Sequence, residues 1–266
     1  MVIDNFKLYF SDIAENYFPN INLEFEDYII HYKSLNEVNT LYLYCSFHKV
    51  NGMRKFSFHT KKRLSVLLQF YHKYYTFDES GFGKSNQEMT NLRIGHSIFF
   101  KASNLIDSDF EVKSYHYRFR PSEKEIKKLV KMLKHDLETY IMPTYEKLYN
   151  VHHLDKVVNT PYDFHIKDDL ANLLCGNLHL DKMIIARLAG NPDYERICEF
   201  IFSWTKDMFN AAHPDDRKSA RILFTIAHDI YDQLKSVEPL KDPNLNNYEI
   251  DYDMEPVHFD DEGRFV

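Results

Sequence analysis

"RPSEKEIKKLVKMLKHDLETYIMPTYEKLY", Arg120 to Tyr149, decides how this chain is divided. Ser122 followed three residues later by Glu125 is a capping box, and Pro121 just ahead stops whatever precedes it. From there Ile126, Leu129, Val130, Leu133, Leu137, Tyr140 and Ile141 recur at three- and four-residue steps, the apolar face of one long helix. Pro143 interrupts that face. It has no N–H to give the Thr139 carbonyl, so the helix is expected to kink there or to hand over to a second helix beginning at the proline.

Upstream of this helix the pattern is that of strands. "YIIHY" and "LYLYCSFHKV" are rich in β-branched and aromatic residues, and Asn51-Gly52 separates the second from "MRKFSFHT". Both turn residues tolerate the positive φ of a type I′ turn, which predicts a hairpin. "RIGHSIFFKAS" and "FEVKSYHYRFR" are further strand candidates, the latter with imperfect alternation that suggests a bulge. A first helix is expected near Phe6 to Phe18, and "RLSVLLQFYHKYY" is read as an amphipathic helix.

Downstream, the punctuation is helical. Gly190 closes "LDKMIIARLA", Asn191-Pro192 opens the next segment, and His213-Pro214 with Asp215 and Asp216 repeats the device. Helices are therefore expected at about 179–189, 193–211 and 214–235, as antiparallel neighbours joined by short turns. No common repeat period relates them.

These readings give an α+β fold class: a strand-rich N-terminal half with a small, mainly antiparallel sheet over 1–120, a long kinked helix at 121–160 and an α-helical region at 161–235. An acidic tail, 236–266, follows. Its Pro239, Pro243 and Pro256, spaced by asparagines and acids, predict a mobile segment. "YEIDYDM" within it alternates apolar and acidic residues in the manner of an edge strand.

Composition narrows the chemistry. The 266 residues include 44% hydrophobic and 15% aromatic side chains but only 7 glycines, which suits a packed scaffold better than a glycine-built phosphate loop. No Walker or dinucleotide pattern is present. The net charge of −7 is contributed wholly by the tail, where nine acids from Glu238 to Glu262 face only Lys241 and Arg264. The remaining body is neutral and lacks the basic footprint of duplex binding, so nucleic acid is an unlikely partner. Cys45, Cys175 and Cys198 are too few and too scattered for a disulfide framework or a cysteine-rich zinc site. Neither a signal sequence nor a run of about 20 apolar residues is found, so a cytoplasmic setting with no membrane association is expected.

Among candidate catalytic groups, Asp109, Glu111 and Lys113 form D-x-E-x-K on an expected strand, where alternate residues share a face. Paired acids holding Mg²⁺ beside a lysine are the equipment of a metal-dependent nuclease or phosphodiesterase, with Asp78 or Glu88 as a further acid. The simpler reading places them on the solvent side of a charged strand. His152-His153 is read as a surface pair, because adjacent helical residues point about 100° apart. His228-Asp229 resembles the paired ligands of metal phosphohydrolases only in that dipeptide. Phe70, Tyr71, Tyr74 and Tyr75 beside Lys61, Lys62, Arg63 and Lys73 fit a base-stacking surface, but a core of buried rings with a solvated basic rim fits better.

The passage from Ser97 to Val158, with its hydrophobic-x-Pro-x-aromatic step Ile141-Met142-Pro143-Thr144-Tyr145, resembles an uncharacterised bacterial domain-of-unknown-function family. The resemblance covers about a quarter of the chain. It implies a small sheet followed by a long proline-kinked helix in a bacterial cytosolic protein, and it implies no reaction.

The sequence thus favours a non-catalytic protein-interaction protein, immunity-type or regulatory, with no cofactor and no bound metal. Tyr248, Asp251, Tyr252 and Asp253 in the tail are its expected contacts with an unidentified, basic protein partner. Mg²⁺-dependent phosphodiester cleavage through Asp109, Glu111 and Lys113 is the alternative, and a helical peptide-binding scaffold using the groove between the C-terminal helices is a third reading.

Overall fold

The computed structural model describes residues 9, 22–26, 29–33, 41–50, 53–70, 73–74, 97–101, 115–117, 122–159, 174–175, 178–248 and 259–266. The chain divides into two compact units, one of Met1–Arg63 with Ile98–Lys147 and one of Leu64–Ser97 with Leu148–Val266.

In the first unit the backbone runs through β1 (Asn22–Glu26), β2 (Ile29–Lys33), β3 (Leu41–Val50) and β4 (Met53–Arg63), each antiparallel to the next. Val50 faces Met53 across Asn51-Gly52, so the hairpin expected at that dipeptide is present. Short strands β5 (Ser97–Lys101) and β6 (Tyr115–Tyr117) follow, β6 pairing with β4.

The long helix begins as its capping box requires. The Glu125 carboxylate accepts from the Ser122 backbone N–H at 2.7 Å and from its hydroxyl at 2.8 Å, and the Glu125 N–H donates back to Ser122 Oγ at 3.3 Å. Helix α2 spans Glu123–Asp136 and buries Ile126, Val130 and Leu133. Before the proline the ladder widens into a π-helical stretch, Leu137–Ile141, and α3 (Met142–Leu148) starts with Pro143 in its first turn. The proline is thus accommodated at a helix start, and the lost donor is absorbed by a π segment ahead of it. The Thr144 hydroxyl donates to the Tyr140 carbonyl at 2.6 Å, one of the acceptors near the interruption.

The second unit is helical. The single turn α1 (Ser65–Leu68) replaces the longer amphipathic helix expected there, with a second short turn at Lys73 and Tyr74. Helices α4 (Val151–Asn159), α5 (Leu178–Ala189), α6 (Tyr194–Ala211) and α7 (Arg217–Leu234) follow. A 3-10 turn, Pro214–Asp216, leads into α7, with Pro214 at its start and His213 Nδ1 accepting from the Asp215 N–H at 3.4 Å. These last three helices lie within two or three residues of the bounds expected from the glycine and proline punctuation.

Helix α5 is the centre of this unit and packs against α1, α4, α6 and α7. Met183, Ile184, Ile185, Ala186 and Leu188 are all buried, as is Asp181, because a helix surrounded by others is apolar on most of its circumference. Its end is a Schellman turn: the Asn191 N–H reaches Ala186 O at 2.9 Å, the Gly190 N–H reaches Arg187 O at 3.1 Å, and Gly190 has φ +65°. A Cβ at Gly190 would lie 3.3 Å from Pro239 Cγ. Gly190→Ala is therefore expected to lower stability by about 1–2 kcal/mol, read as a shifted urea midpoint with an unchanged m-value.

Asn191 also ties the turn to a neighbouring helix. Its side-chain amide donates to Asp155 Oδ2 at 2.8 Å, while Asn159 Nδ2 donates to Asp155 Oδ1 at 2.7 Å and to Lys182 O at 3.2 Å. Burial holds the Asp155 carboxyl above its ordinary range, and the two amides offset that in part.

Two expectations are corrected. The α+β class does not describe the body of the protein: the described residues of 123–266 are 74% helical, and the one strand among them is the two-residue Leu174–Cys175. The described buried hydrophobic residues, from Leu64 to Leu245, lie in helices, turns and their connections. Period-two alternation in the N-terminal half marks strand pairing along the backbone, but the described packing follows the 3.6-residue period of the helices.

The tail expected to be mobile is also fixed over its described residues. Val237 O accepts from Arg187 Nε at 2.6 Å. The Leu240 N–H donates to Leu188 O at 2.9 Å, the Leu245 N–H to Tyr149 O at 2.7 Å, and Pro243 O accepts from the Val151 N–H at 2.8 Å. Leu245 is completely buried. Prolines and asparagines here build turns against the helices: Asn244 Oδ1 accepts from the Asn246 N–H at 3.0 Å, opening a 3-10 turn over Leu245–Asn247.

Candidate functional site

Helices α6 and α7 run side by side and leave an open groove of about 770 Å³ on one side of their contact. Its lining comes from Phe202, Lys206 and Phe209 on α6 and from Arg221, Phe224 and His228 on α7, with Ser203, Asn210 and Thr225 between them. On each helix these residues recur at three- and four-residue steps, so one stripe of each faces the opening.

The walls are aromatic and the charges cationic. Phe202 stacks flat on the His228 imidazole at 4.3 Å, and Phe224 meets the same ring edge-on at 4.4 Å. Enclosed by two rings, His228 has its pKa lowered by desolvation. The Arg221 guanidinium lies 4.9 Å and that of Arg217 5.4 Å from the Phe209 ring centre. Lys206 makes no ion pair among the described residues. A groove with this lining suits an aromatic or aliphatic group carrying negative charge, the size being ordinary for a ligand site.

A second polar cluster in the same unit is structural. Tyr74 donates its hydroxyl to Asp229, Lys73 pairs with the same carboxylate, and Gln233 Nε2 lies 3.2 Å from the Tyr74 oxygen. Burial and the adjoining carboxylate push the Tyr74 hydroxyl far above its usual range. It stays protonated and acts as a donor. Phe70 and Tyr74 are buried, which places both in the core. His228 and Asp229 thus serve two different assemblies.

The other sequence candidates divide as follows. Asp109, Glu111 and Lys113 lie outside the described residues, as do Asp78, Glu88, Asp251, Tyr252 and Asp253. Tyr248 is described and is not a free contact: its hydroxyl donates to Asp242 O at 2.9 Å and accepts from the Asp242 N–H at 3.1 Å, closing a turn. His152 and His153 are exposed, and their N–H groups donate to Asn150 Oδ1 at 3.0 and 3.1 Å, an N-cap on α4. Cys198 is buried with its thiol pushed up to about 12, which leaves no thiolate for nucleophilic chemistry. Among the described residues no group of three or more His, Cys, Asp or Glu is placed to hold a metal ion. Also among them, no helix is long and apolar enough to cross a membrane.

Sequence reasoning offered a peptide-binding groove between the C-terminal helices but named none of its residues. Its signal was present in "FSWTKDMF" and "RILFTIAH", where Phe202, Lys206 and Phe209, and Arg221, Phe224 and His228, stand at helical spacing. No family profile, curated protein or solved structure is significantly similar to the chain.

Proposed function

We propose that this is a non-catalytic interaction protein of the cytoplasm, immunity-type or regulatory, whose contact surface is the groove between α6 and α7. The observation that carries the reading is the groove's lining: three phenylalanines and two cations converge there from two helices. Aromatic and arginine side chains dominate the energetics of protein contacts because they bury large areas and keep a directional polar group.

This surface favours an acidic partner segment over the basic partner expected from the tail. Several tail acids are engaged within the chain: Asp242 Oδ2 accepts from Asn247 Nδ2 at 2.8 Å, Asp260 pairs with Arg264 at 2.8 Å, and Glu262 with Arg221 at 3.4 Å.

The test is capture of partners from the native cytoplasm by the immobilised full-length protein, with an unrelated bait of equal net charge as control. One specific protein, retained at saturable stoichiometry, is the expected result. Capture of nothing, together with Mg²⁺-dependent phosphodiester cleavage that disappears in Glu111→Gln, would replace this reading by the nuclease one.

A further inference from the structure

The C-terminal residues fold into a hook on α7. A bridge pairs Phe259 with Phe265, and the Gly263 N–H donates to Asp260 O at 3.0 Å. Gly263 is buried with φ +80°, and a Cβ there would lie 2.8 Å from Lys218 O, so only glycine allows this approach. Gly263 O accepts from the Thr225 hydroxyl at 3.4 Å, and Phe265 stacks on Tyr74 at 6.2 Å.

The hook also reaches one cation of the groove, Arg221. Glu262 Oε2 is 3.4 Å from the Arg221 guanidinium and 3.1 Å from that of Arg264, and Asp261 is 4.0 Å from Lys218 Nζ. Arg221 and Thr225 therefore line the groove and hold the hook at once. The segment that does this meets the groove lining through the Glu262 carboxylate on Arg221 and the Gly263 carbonyl on Thr225, while its Phe265 ring stacks on Tyr74 outside that lining.

We propose that the groove takes a partner peptide in which an aromatic residue is flanked by carboxylates, and that Glu262 is an intramolecular competitor for Arg221. The aromatic side chain would sit against Phe202, Phe209 and Phe224, while its flanking carboxylates meet Lys206 and Arg221. The Arg221–Glu262 pair is long and exposed, with Glu262 61% accessible, so an incoming carboxylate displaces it at small cost. The inference rests on the interaction reading and names the class of partner.

The test uses the full-length protein and a fluorescein-labelled pentapeptide, Glu-Phe-Asp-Tyr-Glu, with Lys-Phe-Lys-Tyr-Lys and a labelled single-stranded oligonucleotide as comparisons, followed by anisotropy. The acidic peptide is expected to bind best. Arg221→Ala and Lys206→Ala are each expected to weaken it about tenfold. Glu262→Gln is expected to tighten it by up to about fivefold, the release of one exposed ion pair. A melting curve on each variant separates lost binding from lost fold.

Equal or tighter binding of the basic peptide or the oligonucleotide overturns the inference, as does a Glu262→Gln affinity equal to or below that of the parent. Capture of a cellular partner that is unchanged in Arg221→Ala and Lys206→Ala also overturns it, and in that case the interaction reading itself stands.

Discussion

Truncation after Ser236 is expected to cost most of the stability of the second unit, and Leu245→Ala alone about 2–5 kcal/mol. Leu245 is fully buried, and its N–H and the Pro243 carbonyl pair with Tyr149 O and Val151 N at the start of α4. Removing the segment exposes an apolar seat and leaves the Val151 N–H and the Leu188 carbonyl without these partners. Urea unfolding checks this: the truncated chain should show a lower midpoint and a broader transition, and Leu245→Ala a lower midpoint alone. A truncated chain with the full-length midpoint would show that the segment is a passive tail, as its composition suggests. This is also why partner capture needs the complete chain, since the truncated protein loses core together with tail.

What was legible here and what was not differ in physical kind. Helix ends in the second unit were legible because they rest on local chemistry: Gly190 at positive φ and the prolines at 192 and 214 each act within one turn. Pro143 announced an interruption for the same reason. The π-helical form of that interruption depends on how the flanking turns share acceptors, which no residue type specifies. The docking of residues 237–248 was hidden because proline, asparagine and acid content describes both a mobile segment and one built of turns. What separates the two is a remote partner, Leu188 O for Leu240 and Tyr149 O for Leu245. The groove was half legible: spacing put Phe202, Lys206 and Phe209 on one stripe, but only the pairing of α6 with α7 brings a second stripe opposite.

The same logic changes the reading of the charged tail. Its described acids appear in the sequence as an unpaired excess, yet Glu262 and Asp260 find Arg221 and Arg264, and Asp242 caps its own turn. A net charge of −7 therefore overstates the negative surface that the described tail offers, and the groove supplies the more specific chemistry.

Acidification from pH 7 to pH 4 is expected to destabilise the protein by about 2–3 kcal/mol through His179 alone. The ring is buried at the start of α5, its centre 3.9 Å from that of Trp204 and 5.9 Å from that of Phe200, and its Nδ1 has no hydrogen-bond partner among the described residues. Burial, with the Lys182 ammonium nearby, pushes its pKa down to about 4 from 6.5. The folded state thus binds fewer protons than the unfolded state between these values. Its stabilising effect is complete above pH 6.5 and is lost as the pH falls toward 4, where charging a buried imidazole becomes the condition for staying folded. His179→Phe keeps an aromatic ring against Trp204 and cannot titrate, and His179→Gln keeps a polar group and cannot titrate either. Chemical denaturation across this range should show the parent losing stability faster than both variants, with the curves converging in slope above pH 6.5. Parallel curves at every pH would mean that the imidazole titrates alike in the folded and unfolded chain and overturn this assignment.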